Sequence, residues 1–223
     1  MFASDKKRAL IKEEIAAACG HTSTITCDKC IKKLMFIDLM ADANIPSKYW
    51  FLKFADFKGA PNIKTTVEKY VENLNSNFLQ GQSLCFVGTY GTGKTYSIAY
   101  LLKMAMINNF TAYYTSLTDV VNYSLDFSWR DIYFNKVMKS DFLAIDEVDS
   151  RHISSSEEAQ KLFGSSFEKI IRYRTQNALP TLIATNNSSL DEVFTGQYKR
   201  VVESLSSSMT VVAALGKDIR LQN

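Results

Sequence analysis

The sequence predicts an α/β protein in which a parallel sheet is covered by helices on both faces. Short apolar runs alternate with helix-length segments from about residue 63 onward, and this alternation is typical of parallel strands joined by crossover helices. One apolar run leads into a glycine-rich loop before a helix, and another ends in two acidic residues, Asp146 and Glu147. Such sheets bind ligands at the carboxyl ends of their strands, where both features fall.

Local patterns predict the individual elements. Amphipathic spacing predicts helices over 6–18 and 31–43, and Pro46 ends the helical signal before it. Further along we predict helices over 65–78, 94–107 and 157–175, two within 117–137 and one or two over 190–205, with strands over 83–87, 111–115, 141–145, 181–184 and 210–214. We therefore expect a small N-terminal segment over 1–43 and an α/β domain over 44–223.

Composition limits the functional classes. With 223 residues, 46% of them hydrophobic and 22% charged, the chain can fill the core of one domain plus a short appendage. The net charge of +3 is too small to identify a nucleic-acid partner by itself. No apolar run has the length of a membrane span, and the N-terminus lacks the apolar centre of a signal peptide. We expect a cytoplasmic protein without membrane contact.

The strongest motif is the phosphate-binding loop at 88–95. It has the full pattern G-x-x-x-x-G-K-T between a predicted strand and a predicted helix. Glycines let main-chain N–H groups converge on phosphates, and the following helix directs its positive end to the same place. Lys94 is predicted to reach the β- and γ-phosphates of ATP, and the Thr95 hydroxyl to bind Mg²⁺. The predicted nucleotide-binding residues are Gly88, Thr89, Tyr90, Gly91, Thr92, Gly93, Lys94 and Thr95.

Two later strand ends complete the predicted site. Asp146 follows a buried strand and is predicted to hold Mg²⁺, while Glu147 orients and deprotonates the attacking water. A further strand ends in Thr185, Asn186 and Asn187, where Asn186 is predicted to contact the γ-phosphate or the water. The alternative for this polar run is a cap of the following helix.

A second chemical cluster lies near the N-terminus. Cys19, His21, Cys27 and Cys30 offer the four thiolate and imidazole donors that a tetrahedral zinc ion prefers. A short segment with little core gains much stability from such a site. A redox Cys-x-x-Cys pair and unligated cysteines remain the alternatives to structural zinc.

Taken in order, these motifs resemble AAA+ ATPases, and most closely the DnaC-type helicase loaders and the related IstB-type transposition helpers. The resemblance runs from about Ala43 to the C-terminus and includes 43–49 and 81–88. It implies a P-loop core without a full C-terminal lid, and an active site completed by an arginine from a neighbouring subunit. Arg200 matches the first arginine of that late-helix pattern, whereas Ser204 stands where the family has the second.

The resemblance implies an ATP-hydrolysing helicase loader. Such a protein oligomerises on single-stranded DNA in the ATP state and delivers the replicative helicase, which the N-terminal zinc segment contacts. The basic stretch 169–174 either faces DNA or is a solvated helix face. A transposition helper that binds double-stranded DNA and an adaptor that binds nucleotide without hydrolysing it remain alternatives.

Overall fold

The computed structural model describes residues 3–20, 27–149, 157–193, 205, 208–214 and 216, with the backbone alone at 3, 4 and 157–163. The chain divides into two compact units, Met1–Leu52 and Lys53–Asn223. None of the described helices combines the length and apolar character needed to cross a membrane.

The second unit contains a five-stranded, fully parallel sheet in the order β2-β3-β4-β1-β5. The strands are β1 (Ser83–Val87), β2 (Ala112–Ser116), β3 (Phe142–Asp146), β4 (Thr181–Ala184) and β5 (Met209–Ala213). This confirms the predicted fold class. Because β4 lies between β1 and β3, the three strand tips that carry predicted site residues are neighbours.

Helices cover both faces of this sheet, as the alternation of strands and helices predicted. They are α3 (Pro61–Glu72), α4 (Leu74–Leu79), α5 (Lys94–Ile107), α6 (Leu117–Leu125), α7 (Arg130–Lys139) and α8 (Glu157–Gln176). Cys85 of β1, Ile145 of β3 and Ile183 of β4 belong to the core on the face of the sheet that α6, α7 and α8 cover. The helix predicted over 65–78 is wrong in one respect, because α3 ends before Asn73 and α4 begins after it.

A fully buried arginine in α8 joins the helix layer to the sheet. The Arg174 guanidinium donates to Thr181 Oγ1 and to the main-chain carbonyls of Val137, Met138, Ser140, Asp141 and Pro180, at 2.6–3.2 Å. Burial lowers the pKa of Arg174 to about 9, which still leaves the group charged at neutral pH. The prediction that 169–174 forms a DNA-facing or solvated face is therefore wrong for Arg174, although Arg172 is exposed and pairs with Glu168.

The first unit is an antiparallel pair of helices, α1 (Ala3–Ala18) and α2 (Asp28–Asp42). Arg8 contacts Asp38 at 2.5 Å and Asp42 at 3.3 Å, and Lys12 contacts Asp38 at 2.6 Å. These ion pairs join the start of α1 to the end of α2. Cys19, at the end of α1, and Cys27 and Cys30, at the start of α2, therefore lie at the opposite end of the pair.

Candidate functional site

The loop from Gly88 to Gly93 turns sharply between β1 and α5. Gly88, Gly91 and Gly93 have φ values of 127°, 70° and 96°, a region that residues with a Cβ rarely adopt. The Lys94 ammonium donates to the carbonyls of Gly88 and Thr89 at 2.8 and 2.6 Å, so the lysine lies inside the curve of the loop. The sequence therefore forms the compact loop that the motif predicted.

The inner amides of this loop suit a polyanion. Among the described residues, the main-chain N–H groups of Gly91 and Gly93 donate no hydrogen bond to the protein. They precede the first turn of α5, whose N-terminal end carries a partial positive charge. Unsatisfied N–H donors, a helix N-terminus and an ammonium group are the donor set that phosphate groups require, so the loop fits a nucleotide.

The segment before α3 packs against the same loop. The Ala60 amide donates to the Thr92 carbonyl at 3.1 Å, and the Tyr96 hydroxyl donates to the Lys53 carbonyl at 2.7 Å. A Cβ placed on Gly93 would lie 2.6 Å from the Phe57 ring. Glycine at this position therefore permits both the loop's backbone conformation and the close contact with Phe57.

Asp146 is buried at the tip of β3, and both of its carboxylate oxygens accept hydrogen bonds. Oδ1 accepts the Glu147 amide at 2.9 Å, and Oδ2 accepts the Tyr114 hydroxyl at 2.6 Å. Each oxygen keeps a second lone pair that can accept a metal-bound water or bind a cation. A buried carboxylate with a fixed orientation suits the predicted Mg²⁺ role, and Tyr114 is a site residue that the sequence did not indicate.

We expect Tyr114→Phe to raise the Mg²⁺ concentration needed for half-maximal nucleotide binding by about 10-fold, because hydrogen bonds to a metal's ligands tune its affinity. The measurement is a Mg²⁺ titration with a fluorescent ATP analogue. Tyr113→Phe is the matched control, since Tyr113 precedes Tyr114 on β2 but is not hydrogen-bonded to Asp146. Equal Mg²⁺ requirements for the two variants would contradict the role of Tyr114.

Glu147 is exposed and has a φ of 54°, whereas Asp149 is completely buried. The Asp149 carboxylate accepts the Asn186 main-chain N–H at 2.9 Å and its side-chain amide at 2.8 Å. One side-chain N–H of Asn186 is thus held by Asp149, which leaves its Oδ1 and its second N–H to face a ligand. The Asn187 carbonyl accepts the Gly88 amide at 3.0 Å, so the tip of β4 also contacts the phosphate loop.

In the first unit, the sulfur atoms of Cys19, Cys27 and Cys30 lie within 4.8 Å of one another. Zinc–sulfur bonds of about 2.3 Å place tetrahedral ligand sulfurs roughly 3.8 Å apart, so the three thiols need little movement to share one ion. Hydrogen bonding to Cys19, desolvation and the nearby Cys27 raise the pKa of Cys30 to about 12, so zinc binding would displace its proton. The cluster is compatible with zinc, and the predicted fourth ligand, His21, lies outside the described residues.

We expect the protein to carry one zinc ion per chain and Cys30→Ser to lose it, because the remaining donors no longer complete a tetrahedral site. Metal analysis of the purified protein measures this directly. Cys85→Ala is the control, since Cys85 lies in the buried strand β1 far along the chain and should retain zinc. Wild-type protein without zinc after purification from zinc-supplemented cells would contradict the prediction.

The predicted residue Arg200 lies outside the described residues, as does Ser204. Their roles remain predictions. The other predicted nucleotide and Mg²⁺ residues lie on the phosphate loop, at the start of α5 and at the tips of β3 and β4.

A family model described as "ATPase family associated with various cellular activities (AAA)" matches residues 84–205, more than half of the chain. Solved structures are similar at low identity. DnaI has a TM-score of 0.64 at 16% identity, covering 78% of this chain and 93% of that chain. The DnaC helicase loader has 0.60 at 20%, covering 76% and 100%. The replication initiator DnaA bound to AMPPCP and single-stranded DNA has 0.61 at 17%, covering 78% and 51%.

No curated protein matches the sequence. At identities of 20% or less, the similarity to DnaI, DnaC and DnaA establishes the fold alone.

Proposed function

This chain belongs to the AAA family of ATPases, and from that premise we propose that it hydrolyses ATP to load a replicative helicase. One observation carries the proposed chemistry. The phosphate loop, the Asp146–Glu147 pair and Asn186 are brought together by the adjacent strands β1, β3 and β4. An AAA domain implies a nucleotide with Mg²⁺, and these residues supply donors for the first and oxygen ligands for the second.

In the proposed reaction, each group has one task. The loop amides and Lys94 bind the phosphates, and Thr95 and Asp146 hold Mg²⁺, which neutralises phosphate charge. Glu147 is exposed at the strand tip, where its carboxylate can accept a proton from water. Asn186 offers Oδ1 as an acceptor that orients the same water. A homo-oligomer formed with ATP would bring Arg200 of one subunit to the nucleotide of the next.

The similarity in fold to DnaI and the DnaC helicase loader supports the loader proposal. The first unit also offers a surface for a protein partner. Ile31, Met35 and Leu39 lie at four-residue spacing on α2, with 40%, 61% and 50% of their surface exposed. Residues four apart lie on one face of a helix, so these side chains form an apolar stripe that we assign to the helicase.

The second unit offers a surface for single-stranded DNA, between α6 and α7. We call it the α6–α7 aromatic surface: it is formed by Phe127 and Trp129, which are 82% and 57% exposed, with Tyr123, Leu125 and Ile132 around them. The Arg130 guanidinium lies 5.1 Å from the Phe127 ring centre and 3.7 Å from the Asp131 carboxylate. Exposed aromatic rings beside cations suit bases and phosphates together. The DnaA structure, solved with single-stranded DNA, supports this partner class.

Glu147→Gln tests the proposed function. The variant should bind Mg²⁺-ATP with nearly wild-type affinity and hydrolyse it at least ~100-fold more slowly, because it loses the general base. Mixed with purified replicative helicase and ATP, it should form a stable complex that Met35→Glu abolishes and Lys33→Glu, on another face of α2, preserves. Retention of a transposase in place of helicase, or a hydrolysis rate unchanged in Glu147→Gln, would favour the alternatives.

We expect Phe127→Ala and Trp129→Ala each to weaken binding of oligo-dT by about 10-fold, because each removes one stacking platform. Fluorescence anisotropy at two salt concentrations measures the affinity. Arg130→Ala should instead reduce the slope of log affinity against log salt concentration by about 1, because one phosphate contact is lost. Leu79→Ala removes an equally exposed apolar side chain from α4, and it should bind DNA normally. Equal losses in Leu79→Ala and Trp129→Ala would count against a specific surface.

A further inference from the structure

Glu147 is held in a backbone conformation that its side chain disfavours. Its φ of 54° lies in the left-handed region, which residues with a Cβ rarely adopt. Such a conformation persists only where surrounding contacts impose it, and it is concentrated at functional sites. The contacts that impose it therefore also set the direction in which the Glu147 side chain leaves the backbone.

Those contacts come from the two residues that follow. The Val148 amide donates to the Ala184 carbonyl of β4 at 3.0 Å, and Val148 is completely buried. The Asp149 amide donates back to the Glu147 carbonyl at 2.8 Å, which closes a three-residue turn. Glu147 is thus the exposed first residue of a turn whose other two residues, Val148 and Asp149, are buried and hydrogen-bonded.

The Asp149 side chain joins this turn to the end of β4 through three hydrogen bonds. Its carboxylate accepts the Asn186 main-chain N–H, the Asn186 side-chain amide and the Thr185 hydroxyl at 2.9, 2.8 and 3.2 Å. The Asn186 side chain turns its amide nitrogen toward Asp149 Oδ2. Asp149 therefore fixes which end of that amide remains for a ligand.

We propose that Asp149 is a positioning residue that holds Glu147 and Asn186 in their mutual orientation for hydrolysis. The proposal rests on the ATPase function proposed above. Through one buried carboxylate, the turn that carries the base and the strand tip that carries the polar amide become a single rigid unit. Asp149 itself is 0% exposed, so it acts through the residues that it contacts.

Asp149→Asn is the test, because an amide at 149 keeps one oxygen for the main-chain N–H of Asn186 but presents N–H groups to its side-chain amide. We expect kcat to fall roughly 30- to 100-fold, since small displacements of catalytic groups cost about this much. The Kd for ATP should remain within about 2-fold, because the phosphate loop keeps its contacts.

The matched control lies at the other end of the same strand. Asp141 accepts the Thr111 main-chain N–H and the Thr111 hydroxyl, both at 2.7 Å, before β3 begins. Because Oδ2 accepts both hydrogen bonds, Asp141→Asn makes the same change of carboxylate to amide away from the strand tips, and its kcat should stay near wild type. If both variants lose kcat equally, Asp149 has only a structural role and the proposal is overturned.

Amide hydrogen exchange in the nucleotide-free protein provides a readout independent of activity. The N–H groups of Val148 and Asn186 should exchange at least ~10-fold faster in Asp149→Asn, and at wild-type rates in Asp141→Asn. If Asp149→Asn does not fold, the exchanged pair Asp149→Asn/Asn186→Asp carries the test. In this double variant the amide at 149 can donate to the carboxylate at 186. The main-chain N–H groups of residues 148 and 186 should therefore again exchange slowly. Unchanged exchange in the single variant, or no protection in the exchanged pair, overturns the proposal.

Failure of the two proposals can be told apart. A wild-type protein that hydrolyses no ATP with helicase and DNA present contradicts the proposed function, while the exchange experiment still reports on Asp149. An active wild type whose kcat resists Asp149→Asn contradicts the positioning role alone.

Discussion

Lys94→Ala is expected to weaken binding of Mg²⁺-ATP by at least ~100-fold and to abolish hydrolysis. The ammonium group is the one positive side chain that lies inside the described phosphate loop, within 2.8 Å of two of its carbonyls. Its removal leaves neutral amides as the only donors of the loop itself, and charged hydrogen bonds are about twice as strong as neutral ones. Nucleotide titration with a fluorescent ATP analogue measures the affinity.

Thermal unfolding gives a second measurement of the same loss. A ligand at 100 times its Kd stabilises the native state by about 2.7 kcal/mol, so ATP should raise the Tm of the wild type and leave that of Lys94→Ala unchanged. Lys103→Ala is the control, because Lys103 is a half-buried lysine later in the same helix. An ATP-dependent Tm shift of wild-type size in Lys94→Ala would contradict the assignment of the loop.

Arg174→Met is expected to lower the free energy of unfolding by about 3–5 kcal/mol, because it leaves buried carbonyls unpaired at roughly 1–3 kcal/mol each. Methionine fills similar volume, but the carbonyls of Val137 and Ser140 lose their Arg174 donor, and that of Pro180 keeps only the Leu143 amide. Buried carbonyls without partners carry the full cost of desolvation. Urea denaturation measures the change.

Arg172→Met provides the comparison for that experiment. Arg172 lies on the same helix, and its guanidinium pairs with Glu168 at 2.7 Å with more than half of its side chain exposed. Exposed pairs of this kind contribute about 0.3–0.5 kcal/mol. Losses of similar size in the two variants would mean that the Arg174 network adds little to stability.

The sequence predicted the parts of the site that depend on local patterns. The phosphate loop is contiguous, and Asp146 with Glu147 ends an apolar strand. Tyr114 and Asp149 were missed because their importance comes from partners on neighbouring strands, and strand order cannot be read from local spacing. The β2–β3 pairing brings Tyr114 to Asp146, and the β3–β4 pairing brings Asp149 to Asn186.

The burial of Arg174 could have been predicted from the sequence. It lies four residues after Ile170 and seven after Phe167, both fully buried, so it continues the apolar stripe of α8. A cation on that stripe indicates a buried group with carbonyl partners, whereas Arg172 lies off the stripe and is exposed. The helical period therefore separates Arg174 from Arg172, although the two arginines are close together in the sequence.

The packing of Phe57 and Ala60 against the phosphate loop limits how many residues can be removed before the second unit. A shortened protein that starts at the first regular helix, Pro61, would lose the Phe57 ring beside Gly93 and the Ala60 amide bonded to Thr92. The catalytic motif would be intact in sequence, yet one wall of its loop would be missing. Expression of the ATPase unit by itself should therefore begin no later than Lys53, whose carbonyl still reaches Tyr96.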